Sequence, residues 1–584
     1  MGFSPIAWSR RSRLRPYLVV TAAVALAAGA AAGATAANAS TSANSPFAGY
    51  ETPSTVSSVL YRGGNTTTPI KHIVTIFDEN VSFDHYFGTY PYAANTDGTT
   101  FTAKRGTPAV TGLYAKITKN GPVGPLLTSN PNEYNPQRLT PAQALTSDQN
   151  HGYTAEQKAV DNGKMDKFVQ DTQSTTPAAD CGPAYCPPGI VMDYYDGNTV
   201  TALWNYAQNY AMSENNFDTT FGPSSPGAIN VTSGLTADAE ALNPTWDPTN
   251  PSGPATSNAV VDVNPSTGLG VLNSDNDPYY DACSDGNRST NGSLVKLTGQ
   301  NIGDLLNAKH VTWGWFEGGF APTSTANGLP VCGSSHANIS GATVQDYVPH
   351  HDPFEYYAST ANPDHLPPSS LSEIGYTDQA NHQYDMSYFT DALNGTGGAT
   401  LPAVSYLKAP AYQDGHPGYS DPVDEQHFLV NTINSIEKSR YWASTAVVIM
   451  WDDSDGWYDS VVPPVINGSN DPATDTAICT SKPVTVGTVN DRCGYGQRLP
   501  LVVISPYTRD NYVSGNLTDT TSVVRFIEDN WLHGKRIPGS YDAVSGSLDA
   551  PGGVLDFHTF PHFEPVILNP TTGAVVAGGD KRNW

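Results

Sequence analysis

Ile73-Val74-Thr75-Ile76-Phe77 runs without a charge or a turn residue and then stops at Asp78-Glu79-Asn80. A run this short, rich in β-branched side chains and without polar alternation, suits a strand buried on both faces, as in a parallel sheet covered by helices. Ala446-Val447-Val448-Ile449-Met450-Trp451 has the same character and ends in Asp452-Asp453-Ser454-Asp455-Gly456. Runs at 311–316, 403–407 and 501–504 predict three more strands. Helical patterns lie between them. Residues 301–308 read as a helix, and Asp421-Pro422 has the cap-then-proline order of a helix start, with Leu429, Ile433 and Ile436 following on one face. Val523, Ile527 and Trp531 mark a further helix. Strands alternating with helices imply an α/β fold with a mainly parallel central sheet between helices.

The strand ends are where chemistry is expected, because ligands of such sheets bind beyond the carboxyl ends of the strands. Neighbouring residues of a strand point to opposite faces, so Asp452 and Asp453 converge on one ion only where the pleat ends, which is their position. If Glu79, Asp452 and Asp453 meet, each close pair of carboxylates repels by about 4 kcal/mol at an effective dielectric near 20. A divalent cation turns that repulsion into attraction, which makes Glu79, Asn80, Asp452 and Asp453 candidate metal ligands. Oxygen donors suit calcium, magnesium or manganese, and nearby histidines leave zinc and iron open.

Between the two acidic junctions lies Phe221-Gly222-Pro223-Ser224-Ser225-Pro226-Gly227. Small residues before a serine and a proline after it predict a tight turn opening a helix, with Ser224 near its N-terminus, where amides and dipole favour an oxyanion. Beside a cation the Ser224 hydroxyl becomes a candidate nucleophile and a further ligand; otherwise Ser224 and Ser225 read as helix caps. His151, the His350-His351 pair and His416 each sit among turn-forming residues, placing them on loops able to face a ligand. Phosphoryl transfer needs such groups, as donors to phosphate oxygens and as an acid for the leaving alcohol.

Only 14% of the chain is charged, and Lys+Arg 29 against Asp+Glu 55 leaves a net charge of −26. That balance disfavours nucleic acids and anionic membranes, while zwitterionic headgroups remain accessible in transient contacts. Arg10-Arg11 ahead of an Ala/Val-rich stretch, with Ala37-Asn38-Ala39 closing it, reads as a twin-arginine-type signal peptide over 1–39, to be handled by the export machinery and removed. The protein is therefore expected to be secreted or periplasmic. Residues 40–68 read as a flexible lead-in, 69–540 as the catalytic domain with a loop-rich insertion near 235–298, and 541–584 as a closing segment. The six cysteines suit an oxidising compartment, and pairing neighbours in sequence (Cys181 with Cys186, Cys283 with Cys332, Cys479 with Cys493) is the simplest connectivity.

The stretches ENVSFDHYFG, DQNHGYTAEQKAVDNGKMDKF, FGPSSPGAIN, PHHDPFEYY, DGHPGYSDP and WDDSDGWYDSVVPP occur in that order. Together they resemble the bacterial phosphoesterase family of secreted phospholipases C and acid phosphatases, itself similar in fold to the alkaline phosphatase superfamily. The resemblance runs from about Lys71 to Leu532. It implies a three-layer sandwich, one divalent metal ion at Glu79, Asn80, Asp452, Asp453 and Ser224, Ser224 as nucleophile, and His151, His350, His351 and His416 as groups that contact phosphate or assist the leaving group, with His351 favoured within its pair. The chain departs from the phospholipase pattern in having Ser224 for threonine, Gly227-Ala228 for Asn-Arg, Asp453 for glutamate and Ser460 for histidine. The function expected is phospholipase C action on phosphatidylcholine-like lipids, with tyrosines and tryptophans available for a choline pocket. The alternatives are a phosphatase acting on monoesters and a binding protein that has lost turnover.

Overall fold

The computed structural model describes residues 65–118, 121–176, 181–242, 259–284, 294–326 and 328–579. The expected signal peptide and most of the lead-in lie outside them. The last lead-in residues are tied to the body: the Thr67 and Thr68 amides donate to the backbone and side-chain oxygens of Asn530 at 3.0 and 2.9 Å.

Eight strands form the central sheet: β1 (His72–Asp78), β2 (Ala211–Ser213), β3 (Trp313–Glu317), β4 (Gln383–Asp385), β5 (Val404–Lys408), β6 (Thr445–Trp451), β7 (Leu501–Ile504) and β8 (Tyr512–Ser514). Their spatial order is β4-β3-β5-β1-β6-β7-β2-β8, and β7 alone runs against the others. The main helices are α1 (Phe83–Phe87), α2 (Tyr153–Val160), α3 (Thr201–Asn209), α4 (Ser224–Thr232), α5 (Ile302–Asn307), α6 (Met386–Asn394), α7 (Pro422–Glu437) and α8 (Ser522–Trp531).

The unbroken apolar runs have the predicted cause, since the sheet separates two cores. Val74, Ile76, Val447, Ile449, Val502 and Ile504 pack with side chains of α3, α6 and α7 on one face. Ile73, Phe77, Ala446, Val448, Met450 and Val503 pack with α4, α5 and α8 on the other. Each such side chain, withdrawn fully from water, contributes roughly 1.5–3 kcal/mol. Helix α7 starts as its sequence predicts, with the Asp421 carboxylate accepting from the Val423 and Asp424 amides at 2.8 and 3.2 Å. Six tryptophans, Trp204, Trp313, Trp315, Trp442, Trp451 and Trp457, are fully buried, so these six are packing residues rather than the wall of a choline pocket.

The insertion carries a small sheet in which Ala237–Leu242 pairs with both Gly270–Val271 and Leu294–Leu297. The C-terminal segment runs past the edge strand β8, where Tyr512 and Ser514 hydroxyls donate to Gly552 O at 3.0 and 2.8 Å. It then seals α7, as Asn434 Nδ2 donates to Leu568 O at 2.8 Å. The three disulfides are those expected.

Glu437, at the end of α7, is buried and accepts from the Tyr210 hydroxyl and the Val566 amide. Burial pushes its carboxyl up from 4.5 to about 8, against those two hydrogen bonds. The folded state therefore binds this proton more tightly than the unfolded chain. Its contribution is complete below pH 4.5 and is lost as pH rises toward 8, by about 1.4 kcal/mol per pH unit for one site. Glu437→Gln keeps the accepting oxygen and removes the titration. Denaturant unfolding between those pH values is expected to show a shallower decline in the variant, and parallel curves would remove Glu437 from the pH dependence.

Candidate active site

Parallel pairing of β1 with β6 sets Asp78 opposite Trp451, so both strands reach the same edge at the same height. The ladder continues one step, Asp452 N donating to Asp78 O at 3.2 Å, and then breaks. Asn80 turns at a φ of 63°, and its amide donates to Asp452 Oδ1 at 2.7 Å while Val81 N reaches Asp453 O at 3.0 Å. Asparagine tolerates this left-handed backbone better than most residues. Glu79, Asn80, Asp452 and Asp453 are thereby fixed side by side with no exposure.

Helix α4 brings the serine. Gly222, at a φ of 128°, makes the turn before it, and Pro223 is the cap residue with no side-chain cap bond. Ser224 is therefore not a helix cap. Its Oγ lies 3.1 Å from Asp453 Oδ2 and 3.5 Å from Asn80 Oδ1. The helix comes this close because residue 227 is glycine, where a Cβ would stand 2.4 Å from Asp452 O. One of the amides expected to face an anion is taken: Asp275 of the insertion accepts the Ser225 N–H at 2.9 Å.

Carboxylates outnumber the cations around them. Lys408, the last residue of β5, pairs with Glu79 Oε1, and the Asp414 carbonyl accepts from the Glu79 amide at 3.0 Å. Burial first and the Asp452 charge second push Glu79 well above the ordinary carboxylate range, against the pull of Lys408. The same two causes raise Asp453, partly relieved by His151. Burial acts upward on Asp452 too, but hydrogen bonding with Glu79, Lys408, Ser224 and the Asn80 amide together hold it low. Glu79 Oε2, Asp452 Oδ2 and His351 Nε2 are buried without a hydrogen-bonding partner. Orphaned oxygens beside crowded carboxylates, with an amide oxygen and a hydroxyl adjacent, are a donor set that fits a divalent cation.

The histidines divide by environment. His151 Nδ1 lies 3.0 Å from both Asp455 Oδ1 and Gln149 O, so it carries a proton, and Nε2 lies 4.0 Å from Asp275 Oδ2. Burial opposes its charge, but Asp453, Asp455 and Asp148 prevail and raise its pKa well above the usual value. His351 Nδ1 is 3.5 Å from Glu79 Oε1 and 3.9 Å from Asp414 Oδ2; burial, then Lys408 and the neighbouring histidines, keep its pKa well below the usual value. His350 packs edge-on against it at 4.6 Å and reaches Asp277 at 3.4 Å. His416 directs Nδ1 to Pro417 O at 2.6 Å and stacks on Tyr419 at 4.3 Å, with burial lowering its pKa.

Comparison with known proteins bears on what this cluster belongs to. The sequence pattern of the phosphoesterase family matches residues 70–532. The chain belongs to the phosphoesterase family. Among curated relatives it is similar to a non-hemolytic phospholipase C of Pseudomonas aeruginosa, 34% identical over 140 residues, which is 23% of this chain and 20% of that one. It is also similar to phospholipase C A of Mycobacterium tuberculosis, 25% identical over 180 residues, covering 30% and 34% of the two chains. The matched segments thus span about a fifth to a third of the relatives' own lengths.

Within this phosphoesterase, sequence reasoning missed several residues. Lys408 ends an apolar run, as Glu79 and Asp452 do, and the same strand-end logic finds it. Asp414 lies two residues before His416, and Asp455 follows Asp453 within one acidic stretch. Glu156 left no signal: from α2 it accepts the Ser454 hydroxyl at 2.5 Å and the Gly222 amide at 3.0 Å, clamping the loop after β6 to the turn before Ser224. Arg498, fully buried, binds Asp459 at 3.0 Å and Asp84 at 3.0 Å, while the Ser460 amide donates to Asp84 at 2.8 Å. These bonds lock α1 against the loop after β6. Near Ser224, the Tyr356 hydroxyl lies 3.2 Å from Ser225 Oγ.

Gly227→Ala is expected to push α4 off the Asp452 backbone. Overpacking of this kind costs about 1–3 kcal/mol, read as a lower midpoint of denaturant unfolding; a midpoint equal to wild type would mean the helix has room to move.

Proposed function

We propose that this chain is an exported, metal-dependent phosphoesterase of phospholipase C type, hydrolysing phosphatidylcholine-like lipids through Ser224. The observation that carries the reading is Ser224 Oγ, 3.1 Å from Asp453 Oδ2, at the edge of a buried carboxylate cluster with unpartnered oxygens. Membership of the phosphoesterase family and relatives named phospholipase C support it. Glu79, Asn80, Asp452, Asp453 and Ser224 would hold one divalent ion (calcium, magnesium, manganese, zinc or iron), which supplies positive charge that favours the serine alkoxide and the developing phosphoryl charge.

The side chains do the rest. Asp453 accepts the Ser224 O–H and takes its proton as the oxygen attacks phosphorus in line. A Ser224–phosphorus bond forms, the bond to the diacylglycerol oxygen breaks, and His151 Nε2 delivers a proton to that oxygen while Asp455 holds Nδ1. Water then attacks phosphorus, giving one proton to the now neutral His151; the bond to Ser224 breaks, the proton on Asp453 returns to the serine oxygen, and phosphocholine is released. The partly exposed His350 and His416, and the buried His351 beside Glu79, would contact phosphate oxygens. Substrate lipid implies transient contact with a zwitterionic membrane surface, and no described helix is long and apolar enough to cross one. The leader over 1–39 would route the folded chain through the twin-arginine machinery.

Serine at position 224 favours a second reading, phosphatase action on monoesters. Phosphocholine release from lipid and phosphate release from monoesters, measured on one purified sample, separate the two. Ser224→Ala is expected to lower the rate at least about a thousandfold, roughly 4 kcal/mol of barrier, with folding intact; an unchanged rate removes Ser224 from the chemistry. A folded wild-type protein that hydrolyses neither lipid nor monoester would leave a binding protein as the better description. Chelation is expected to abolish turnover, with single metals added back one at a time identifying the ion, and activity indifferent to exhaustive chelation would overturn metal dependence.

A further inference from the structure

Away from this site, Cys283 and Cys332 are joined in a disulfide whose sulfurs lie beside a buried histidine. One ligand atom from each of Cys283, Cys332 and His365 lies within 4.8 Å of the other two. His365 Nδ1 is 3.5 Å from Cys332 Sγ and 2.8 Å from Phe320 O, and that carbonyl oxygen is 3.7 Å from the same sulfur. Two sulfurs, an imidazole nitrogen and a carbonyl oxygen therefore converge. All four residues are buried.

The ring is held from behind. His365 Nε2 lies 2.7 Å from Asp281 Oδ1, and Asp281 is itself pinned by the Tyr347 hydroxyl at 2.8 Å and the Cys283 amide at 2.5 Å. A metal-binding histidine characteristically donates its other ring N–H to a carboxylate, which fixes the ring and raises the basicity of the ligating nitrogen. Phe320 stacks on the imidazole at 4.0 Å and Tyr347 meets it edge-on at 5.2 Å, so the ring is flanked by aromatic side chains. His365 takes this position at a φ of 50°, a backbone conformation few residues adopt without a local constraint.

We propose that Cys283, Cys332 and His365 form a redox-gated site for a zinc-like ion, closed while the disulfide is intact and opened by its reduction. A phosphine reductant transfers two electrons to the sulfur–sulfur bond and takes an oxygen from water, leaving two thiols and a phosphine oxide. The ion then displaces the two thiol protons and the Nδ1 proton, and Phe320 O, which now accepts from Nδ1, is the nearest oxygen donor. Two thiolates and an imidazole are a donor set that zinc takes in tetrahedral sites. The reduced state is the one such a chain meets if it folds in a reducing compartment before export, the route its arginine pair predicts. The spacings from Cys283 to Cys332 and on to His365 match no zinc motif, which is why only the fold brings the site into view.

Cobalt is the probe, since a thiolate ligand gives it a charge-transfer band that the oxygen-rich site at Ser224 does not produce. The full-length protein, reduced with the phosphine and checked by near-ultraviolet dichroism, is expected to bind one cobalt ion with that band, which zinc then displaces. Oxidised protein and the Cys283→Ser/Cys332→Ser double variant are expected to lack the band. Asp281→Asn is expected to weaken the affinity about 10–100-fold with the band retained. Absence of a thiolate band in the reduced protein overturns the proposal, as does a band that persists in the double variant or reduction that unfolds the chain with cobalt present. Because the readout is a thiolate spectrum rather than turnover, failure here leaves the phosphoesterase reading untouched.

Discussion

The pairing of β1 with β6 at the middle of the sheet is the constraint on which the remainder depends. Both strands are buried on both faces, so each is mostly apolar and gathers its carboxylates only where it leaves the sheet. Parallel pairing then forces the two polar exits to one edge, with Asp78 and Trp451 in register. Had the strands been antiparallel, as β6 and β7 are, the acids would lie at opposite ends of the sheet. The carboxylate cluster is thus a consequence of topology before it is a consequence of residue choice.

That clustering is unfavourable as it stands. Glu79 and Asp453 are pushed well up by burial and by Asp452, and a single lysine with one charged histidine does not balance them. The surrounding structure compels the arrangement nonetheless. The Asn80 turn spends its amide on Asp452, Glu156 clamps two loops together, Arg498 locks α1 against the loop after β6, and Gly227 lets α4 rest on the Asp452 backbone. Crowded carboxylates held so firmly are not explained by stability, and they fit the divalent ion of the proposed reading.

What was legible in the sequence follows from how far each determinant reaches. Strands and helix starts were readable because their causes are local: β-branched runs for β1 and β6, and the Asp421-Pro422 step for α7. The disulfides were readable because the partners are neighbours. The meeting of Glu79, Asp452 and Ser224 was readable only through strand-end logic combined with the motif order, since no local property joins positions so far apart. Lys408 obeyed that same logic but, as a cation, did not suggest a ligand set. Asp275, Glu156 and Asp281 were invisible, for each acts across the fold on a backbone amide or a ring nitrogen. Of the two roles open to the aromatic residues, choline pocket or core, six tryptophans take the second, while the tyrosines Tyr356 and Tyr419 lie beside the site.

The occupied amide of Ser225 changes how phosphate is to be held. A helix N-terminus ordinarily offers an anion its free N–H groups, but here Asp275 accepts from one of them, so a carboxylate already sits next to Ser224. A dianionic phosphate brought next to that group meets repulsion unless positive charge arrives elsewhere. His151 faces Asp275 at 4.0 Å, and His350 approaches Asp277, so the insertion sets its carboxylates against two histidines on the rim. On the proposed reading, such a rim would penalise a monoester dianion more than a diester, which carries one charge fewer and, in phosphatidylcholine, a trimethylammonium group that acids attract. On the proposed reading, then, the insertion's carboxylates and the serine at position 224 argue in opposite directions, the first for a diester and the second for a monoester.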